Sequence, residues 1–142
     1  QKIADQYYDL PVVNRNSLVQ KVLALIKLPE FALLFTRDAL IEVPINGQLK
    51  GIVIAGQIDR LYVDETRIIL ADFKTGQPVV GCLPSSYLEQ MALYDGLLRE
   101  IYPGRDIECW LIWVDTLGHQ LISREARDLA LTGIFASHTS TS

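Results

Sequence analysis

A chain of 142 residues, 49% of them hydrophobic, is long enough to bury the core of one domain, and no apolar run approaches the ~18 residues that a membrane-spanning helix needs. The net charge of −4 argues against a free-standing nucleic-acid-binding domain, because affinity for a phosphate backbone normally requires a basic surface. The composition therefore predicts one folded domain that neither spans a membrane nor binds nucleic acid through its surface charge alone.

The first quarter of the chain is predicted to be a linker followed by helical segments. Residues 1–16 show no hydrophobic period, so we expect a linker or an incomplete element there. A helix is predicted to start at a capping box, Ser17-x-x-Gln20, and to stop at Pro29. A second, short helical turn is predicted over Glu30 to Phe35.

Three strands are predicted next, as an antiparallel meander. The strand-like runs are Ala39–Pro44, Gly51–Tyr62 and Arg67–Phe73. The turns between them are predicted at Asn46-Gly47, a strong hairpin signal, and at Asp64-Glu65-Thr66.

A helix and two further strands complete the predicted sheet. The helix begins at a second capping box, Ser86-x-x-Glu89, and ends before Pro103-Gly104. The run Ile107–Val114 is apolar on both alternating faces, which is typical of a strand buried on both sides, and His119–Ser123 follows as a short partner strand. Residues 124–142 are predicted to form a weak helix and a disordered polar tail. Because a helix links the third strand to the fourth, we expect those two to be parallel in an α/β fold with a mixed sheet.

Two carboxylates and a lysine at neighbouring strand ends form the candidate site. Asp72 and Lys74 are two residues apart, so in a strand they point to the same face, while Phe73 points to the opposite layer. If the hairpin pairs Asp59 with Asp72, the two carboxylates repel each other unless a cation lies between them. Mg²⁺ or Mn²⁺ suits such an all-oxygen site better than zinc. The alternative is an ordinary solvated Asp–Lys pair on the surface.

The helix after this strand carries two further candidates. Gln90 and Tyr94 are four residues apart and share one helix face. In one interpretation Tyr94 belongs to the apolar stripe and Gln90 is its polar margin. In the other, the crossover lays the helix near the carboxyl end of the strand, and both side chains reach the site or a bound phosphate.

Three motifs occur in the order of a known family: Gly-Gln-Ile-Asp-Arg at 56–60, Asp-Phe-Lys-Thr at 72–75 and Gln-Met-Ala-Leu-Tyr at 90–94. In these motifs the chain resembles the RecB-type nucleases of the PD-(D/E)XK superfamily. Two extended matches, Glu42-Val43-Pro44 and residues 97–105, are similar to the C-terminal nuclease domains of the AddA family, the helicase–nucleases of bacterial AddAB recombination complexes. The resemblance covers roughly residues 17 to 123.

The resemblance implies a fold and a site. The implied fold is restriction-endonuclease-like, an α/β domain over residues 1–123 with a mixed β-sheet core flanked by helices. The implied Mg²⁺ (or Mn²⁺) ligands are Asp59, Asp72 and the main-chain carbonyl of Phe73, and the implied catalytic lysine is Lys74.

Three more positions match the family. Gln90 and Tyr94 match its Q-x-x-x-Y motif, and Glu42 matches an acidic position on the first core strand; the alternative for Glu42 is a strand-edge charge. The family also uses a histidine on an N-terminal helix, and residues 1–26 contain none. Because the chain also opens at Gln1 without a methionine or a leader, we expect a fragment that begins downstream of that histidine and is weakly active or inactive alone.

The expected function is Mg²⁺-dependent hydrolysis of DNA phosphodiesters, in a helicase–nuclease that processes double-strand ends for recombinational repair. The resemblance implies single-stranded DNA delivered by the helicase and an AddB-type subunit as partners. The alternative is a non-catalytic nuclease fold that binds DNA or a subunit. An iron–sulfur RecB-like exonuclease is disfavoured, because its cluster needs four cysteines and this chain has two.

Other residues are expected to have structural or surface roles. Trp110 and Trp113 are predicted to pack in the core on opposite faces of one strand, and Arg99 and Arg105 to be solvated surface charges. The two cysteines lack the spacing of a metal site and are expected to be reduced thiols of a cytosolic protein, and the resemblance to the AddA family implies that the cytoplasm is bacterial.

Overall fold

A computed structural model describes residues 19–20, 23–76, 83–116 and 118–141. Residues 19–20 and 23–26 are helical, and two 3-10 turns follow at Pro29–Phe31 and Leu33–Phe35. The remaining elements are, in chain order, β1 (Leu40–Leu49), β2 (Ile52–Val63), β3 (Arg67–Lys74), α1 (Ser85–Ile101), β4 (Asp106–Trp113), β5 (His119–Ile122) and α2 (Arg124–Thr141).

The five strands form one mixed sheet in the order β1-β2-β3-β4-β5. Neighbouring strands are antiparallel except β3 and β4, which are parallel and joined through α1. The predicted meander, the parallel pair and the mixed α/β class are therefore confirmed.

The sheet carries a hydrophobic cluster on each face. On one face, α1 and α2 cover a cluster that includes Leu70, Leu111 and Trp113. On the other face, the 3-10 turns bring Phe31 against Trp110, with ring centroids 4.9 Å apart. Both tryptophans are thus core residues on opposite faces of β4, as the sequence predicted.

The first hairpin turns four residues later than predicted. β1 continues through Asn46-Gly47, and the chain reverses at Lys50 and Gly51, whose φ angles of 47° and 83° suit a two-residue turn. Gly47 has a packing role instead: a Cβ there would lie 2.7 Å from Cδ1 of Leu97 on α1. The glycine permits close approach of the helix, which the sequence pattern does not distinguish from a turn.

The helix termini also differ from the prediction. α1 begins at Ser85 after Pro84, and no side-chain hydrogen bond caps it, so the capping box at Ser86 is wrong. α2 runs to Thr141, so the tail is helical where disorder was expected. The capping box at Ser17 and the linker over residues 1–16 lie outside the described residues. Among the described helices, none is long and apolar enough to cross a membrane.

Candidate active site

The sheet register brings the two predicted carboxylates together. The antiparallel pairing of β2 with β3 ends at Arg60 and Ala71, and the next positions along the two strands are Asp59 and Asp72. Both are buried, with 2% and 6% of their surface exposed. The condition on which the sequence argument depended, that the hairpin places these residues side by side, is met.

Burial and the neighbouring Asp59 carboxyl perturb the carboxyl group of Asp72. The pKa of Asp72 is raised to about 6, first by burial and then by its hydrogen bond with Asp59, while Lys74 acts in the opposite direction. The backbone N–H of Phe73 donates to Oδ2 of Asp59 at 2.8 Å, which fixes that carboxylate where the ladder between the strands ends. One ammonium thus stands beside two acids, an arrangement that a further cation would stabilise.

Lys74 connects the carboxylates to α1. Its Nζ lies 2.6 Å from Oδ2 of Asp72 and donates to Oε1 of Gln90 at 3.0 Å. The same Nζ lies 4.1 Å from the ring centroid of Tyr87, within cation–π distance. Tyr87 was not among the predicted site residues, although its position three residues before Gln90 puts both on one face of the helix.

Gln90 and Tyr94 extend this chain of hydrogen bonds to β2. Nε2 of Gln90 and the backbone N–H of Gln57 both donate to the Tyr94 hydroxyl, each at 3.3 Å. A Cβ on Gly56 would overlap that hydroxyl, so only glycine lets the tyrosine reach the strand. The ring of Tyr94 packs in the hydrophobic core, as the first interpretation predicted. The Tyr94 hydroxyl and Gln90 also reach the candidate site, as the second interpretation predicted.

Glu42 lies opposite Asp59 at a break in the sheet. Its neighbours Ile41 and Val43 pair with Arg60 and Ile58, whereas Glu42 itself adopts φ 52° and its side chain is exposed. Left-handed backbone is uncommon outside glycine and concentrates at functional sites. Acidic residues therefore occupy one row across β1, β2 and β3, and a role for Glu42 in the site stays a prediction.

The oxygen donors of the candidate site are of the kind that a magnesium ion prefers. Asp59 and Asp72 offer carboxylate oxygens, and a cation between them would relieve the repulsion that contributes to the raised pKa of Asp72. Within the described ranges, no three His, Cys, Asp or Glu side chains converge closely enough to hold a metal ion. The Phe73 carbonyl as a further ligand stays a prediction.

Two other charged residues do not join this site. Arg60 is buried on the opposite face, with its guanidinium 4.9 Å from the Phe35 ring centroid. Arg99 is not the solvated charge that was predicted: its Nη2 lies 2.6 Å from Oδ2 of the buried Asp95 and 2.8 Å from Oδ1 of Asp128. Asp95 lies one turn before Arg99 on α1, whereas the half-exposed Asp128 comes from α2, so only the second contact depends on the tertiary fold.

No family model matches this chain, and no curated protein matches it. Among solved structures, SSO0001 is 17% identical with a TM-score of 0.43, over 88% of this chain and 69% of that chain. Protein VC1899 from Vibrio cholerae is 16% identical with a TM-score of 0.36, over 68% of this chain and 23% of that chain. At these TM-scores and identities, the two similarities do not identify the fold family.

Proposed function

We propose that this chain is the Mg²⁺-dependent DNA nuclease domain of an AddA-type helicase–nuclease, with a PD-(D/E)XK fold of the RecB type. One observation carries the proposal: Lys74 bridges the buried Asp59–Asp72 pair to Gln90 and Tyr94 on α1. All five residues were singled out in the sequence from three separate motifs. A surface ion pair would have no need of a second buried carboxylate or of this hydrogen-bond chain.

Each side chain has a distinct task in the proposed reaction. A bound Mg²⁺ would supply a Lewis acid to polarise the scissile phosphate and to lower the pKa of a bound water. Asp59 and Asp72 would hold the ion, and the Phe73 N–H keeps Asp59 oriented. Lys74 offers its ammonium to the negative charge that develops on the phosphate.

The helix contributes preorganisation. Lys74 is 14% exposed and is held on two sides, by the carboxylate of Asp72 and by the amide oxygen of Gln90. Because the Tyr94 hydroxyl accepts from Gln90 Nε2, the amide is oriented with its oxygen toward the lysine. A lysine fixed in this way needs little rearrangement as charge develops.

The net charge of −4 supports a module that acts within a larger protein. A phosphate backbone is not attracted to an acidic domain, so the single strand is delivered by the helicase part of the same protein. The partner in this proposal is an AddB-type subunit, and the setting is the bacterial cytoplasm, where double-strand ends are processed for recombination.

Cleavage of labelled single-stranded DNA in Mn²⁺ or Mg²⁺ tests the proposal. We compare the wild-type chain with Asp72→Asn and Lys74→Met, and run the same variants in a longer protein that includes the helicase. We expect weak cleavage by the 142-residue chain, stronger cleavage by the longer protein, and a loss of at least a hundredfold in both variants, because general electrostatic stabilisation by one positioned group is typically worth about that much.

Glu89→Gln is the matched control, because Glu89 is an exposed acid on the same helix, next to Gln90. This variant should cleave at the wild-type rate. If Asp72→Asn and Lys74→Met cut as well as wild type in both proteins, the nuclease assignment is wrong. Both inactive variants must also show a cooperative unfolding transition like that of wild type. Such a transition establishes that they are folded and that the lost activity reports on the chemistry.

A further inference from the structure

A pocket lined by arginines lies at the other end of the sheet from the candidate active site. Its volume is about 310 Å³, and it is formed where α1 ends, β4 begins and α2 begins. We call it the arginine pocket; its lining includes Arg99, Gly104, Arg105, Asp106, Arg124 and Arg127. Asp106 is five residues before Leu111, the partner of Asp72 in the sheet, so the two sites are about 17 Å apart along β4.

A buried carboxylate holds two of these arginines rigidly. Asp95, 1% exposed, accepts from Nε and Nη2 of Arg99 at 3.0 and 2.6 Å and lies 3.2 Å from Nη1 of Arg127. Nη2 of Arg127 also donates to the carbonyl of Ile107 at 2.9 Å. The inner wall of the pocket is therefore preorganised, since neither guanidinium must give up rotamer freedom when a ligand binds.

The other two arginines retain donors for a ligand. Arg105 lies 4.8 Å from the ring centroid of Tyr102, which orients its guanidinium without using its N–H groups. Arg124 is 69% exposed, and its Nε is 3.7 Å from Asp128, beyond hydrogen-bond distance. We call these two the rim arginines; among the described residues neither guanidinium is within hydrogen-bond distance of a protein acceptor, so their donors remain for a ligand.

The pocket is positive within an acidic protein. Four guanidinium groups meet three carboxylates there, those of Asp95, Asp106 and Asp128, which leaves an excess of one positive charge where the whole chain carries −4. The first turn of α2 starts at Arg124 and adds the positive end of a helix dipole. Electrostatics therefore favour an anion in this pocket.

We propose that the arginine pocket binds a phosphate group. Guanidinium forks match the oxygens of phosphate in geometry, and the pocket presents them from two helices and the loop between α1 and β4. The phosphate comes either from a small phosphate compound or from the backbone of a single-stranded nucleic acid. The site does not depend on the proposed nuclease function, because it shares no residue with the carboxylate pair.

Calorimetric titration of the 142-residue chain with inorganic pyrophosphate tests the proposal, and anisotropy of a fluorescein-labelled oligothymidine distinguishes the two sources. The test variant is Arg105→Gln with Arg124→Gln, which removes the rim donors and leaves the buried Asp95 network intact. The control variant is Lys27→Gln with Arg37→Gln, an equal charge change at exposed positions outside the pocket. Thermal unfolding by circular dichroism establishes that both double variants are folded.

We expect pyrophosphate to bind wild type and the control alike, and the rim variant at least about tenfold more weakly, because two charge-assisted donors are lost. If pyrophosphate displaces the oligothymidine, the physiological source is a nucleic-acid backbone; if the oligothymidine binds the rim variant as well as wild type, the source is a small phosphate compound. Equal pyrophosphate affinity of the rim variant and wild type overturns the proposal, as does absence of pyrophosphate binding to wild type. Asp72→Asn keeps the pocket, so failure of the nuclease proposal leaves this result unaffected.

Discussion

Replacement of Asp72 by asparagine should stabilise the protein at neutral pH. In wild type the buried Asp72 carboxyl has a pKa of about 6, raised from 3.8 by burial and by the hydrogen bond with Asp59. The folded state therefore pays for ionisation at pH 7.5, and asparagine keeps the shape of the side chain without the charge. A shift of about two pH units corresponds to about 3 kcal/mol at most, since each unit is worth about 1.4 kcal/mol.

The sign of the pH dependence follows from the raised pKa. Below pH 3.8 the Asp72 carboxyl is protonated in both the folded and the unfolded state. Between pH 3.8 and about 6 the unfolded state ionises while the folded state stays protonated, so the free energy of unfolding falls as the pH rises. The free energy of unfolding of wild type should therefore fall between pH 4 and pH 6.5, whereas that of Asp72→Asn should change little over the same range. The advantage of the variant should be largest at pH 7.5 and should vanish at pH 3.5.

Urea unfolding of both proteins in EDTA at pH 3.5, 5 and 7.5 measures the effect. Asp64→Asn is the control of opposite sign, because hydrogen bonds from the backbone N–H groups of Thr66 and Arg67 lower the pKa of Asp64 to about 2. That variant should be less stable than wild type at pH 7.5. If Asp72→Asn is also less stable than wild type at pH 7.5, burial and the neighbouring Asp59 carboxyl do not make the ionised Asp72 unfavourable in the folded state.

Three further substitutions or reactions probe the packing around the two sites. Gly56→Ala should lower stability by about 1–3 kcal/mol in urea unfolding, because the new methyl group overlaps the Tyr94 hydroxyl. Arg127→Met should cost about 3 kcal/mol by the same assay, because it removes an ion-pair partner from the buried Asp95. The Cys109 thiol, whose pKa burial raises to about 12, should resist alkylation by iodoacetamide at pH 8 in the folded protein, as followed by peptide mass spectrometry.

Each of these results has a matched comparison. Gly133→Ala, on α2 with no atom within 4 Å of a new Cβ, should be neutral or stabilising, and equal destabilisation by Gly56→Ala and Gly133→Ala would refute a steric cause. Arg124→Met, at an exposed position, should change stability little, and a cost equal to that of Arg127→Met would contradict the importance of burial. If Cys109 is alkylated as fast in buffer as in urea, burial does not protect its thiol in the folded protein.

Local patterns in the sequence were sufficient for most of the sheet. Alternating and continuous apolar runs located the strands to within a few residues except at the end of β1, because β periodicity and burial leave a clear signal. The hairpin was misplaced at Asn46-Gly47, since a glycine that a helix packs against resembles a turn glycine in sequence. The capping box at Ser86 failed for a similar reason: the pattern is local, and the helix start at Ser85 follows Pro84.

The sequence predicted which residues would form the candidate site, but not how they contact one another. Spacing alone put Asp72 and Lys74 on one face of a strand, and Gln90 and Tyr94 on one face of a helix. That Asp59 lies beside Asp72 where the pairing of β2 with β3 ends, and that Gln90 reaches Lys74, depends on how the hairpin and the crossover pack. Tyr87 shares the helix face of Gln90 in the sequence, but its contact with Lys74 depends on the same long-range packing.

The sequence by itself therefore determined the class of fold, the order of its strands and the residue types of one candidate site, because these depend on hydrophobic period and short spacings. Only the tertiary structure decided which charges are buried together: the raised pKa of Asp72 beside Asp59 and the contact of the buried Asp95 with Arg127 both arise between separate elements. The arginine pocket belongs to the same category, because its walls come from two helices and a strand that meet only when the chain is folded. Burial sets the strength of every one of these interactions, and burial is a property of the packed protein.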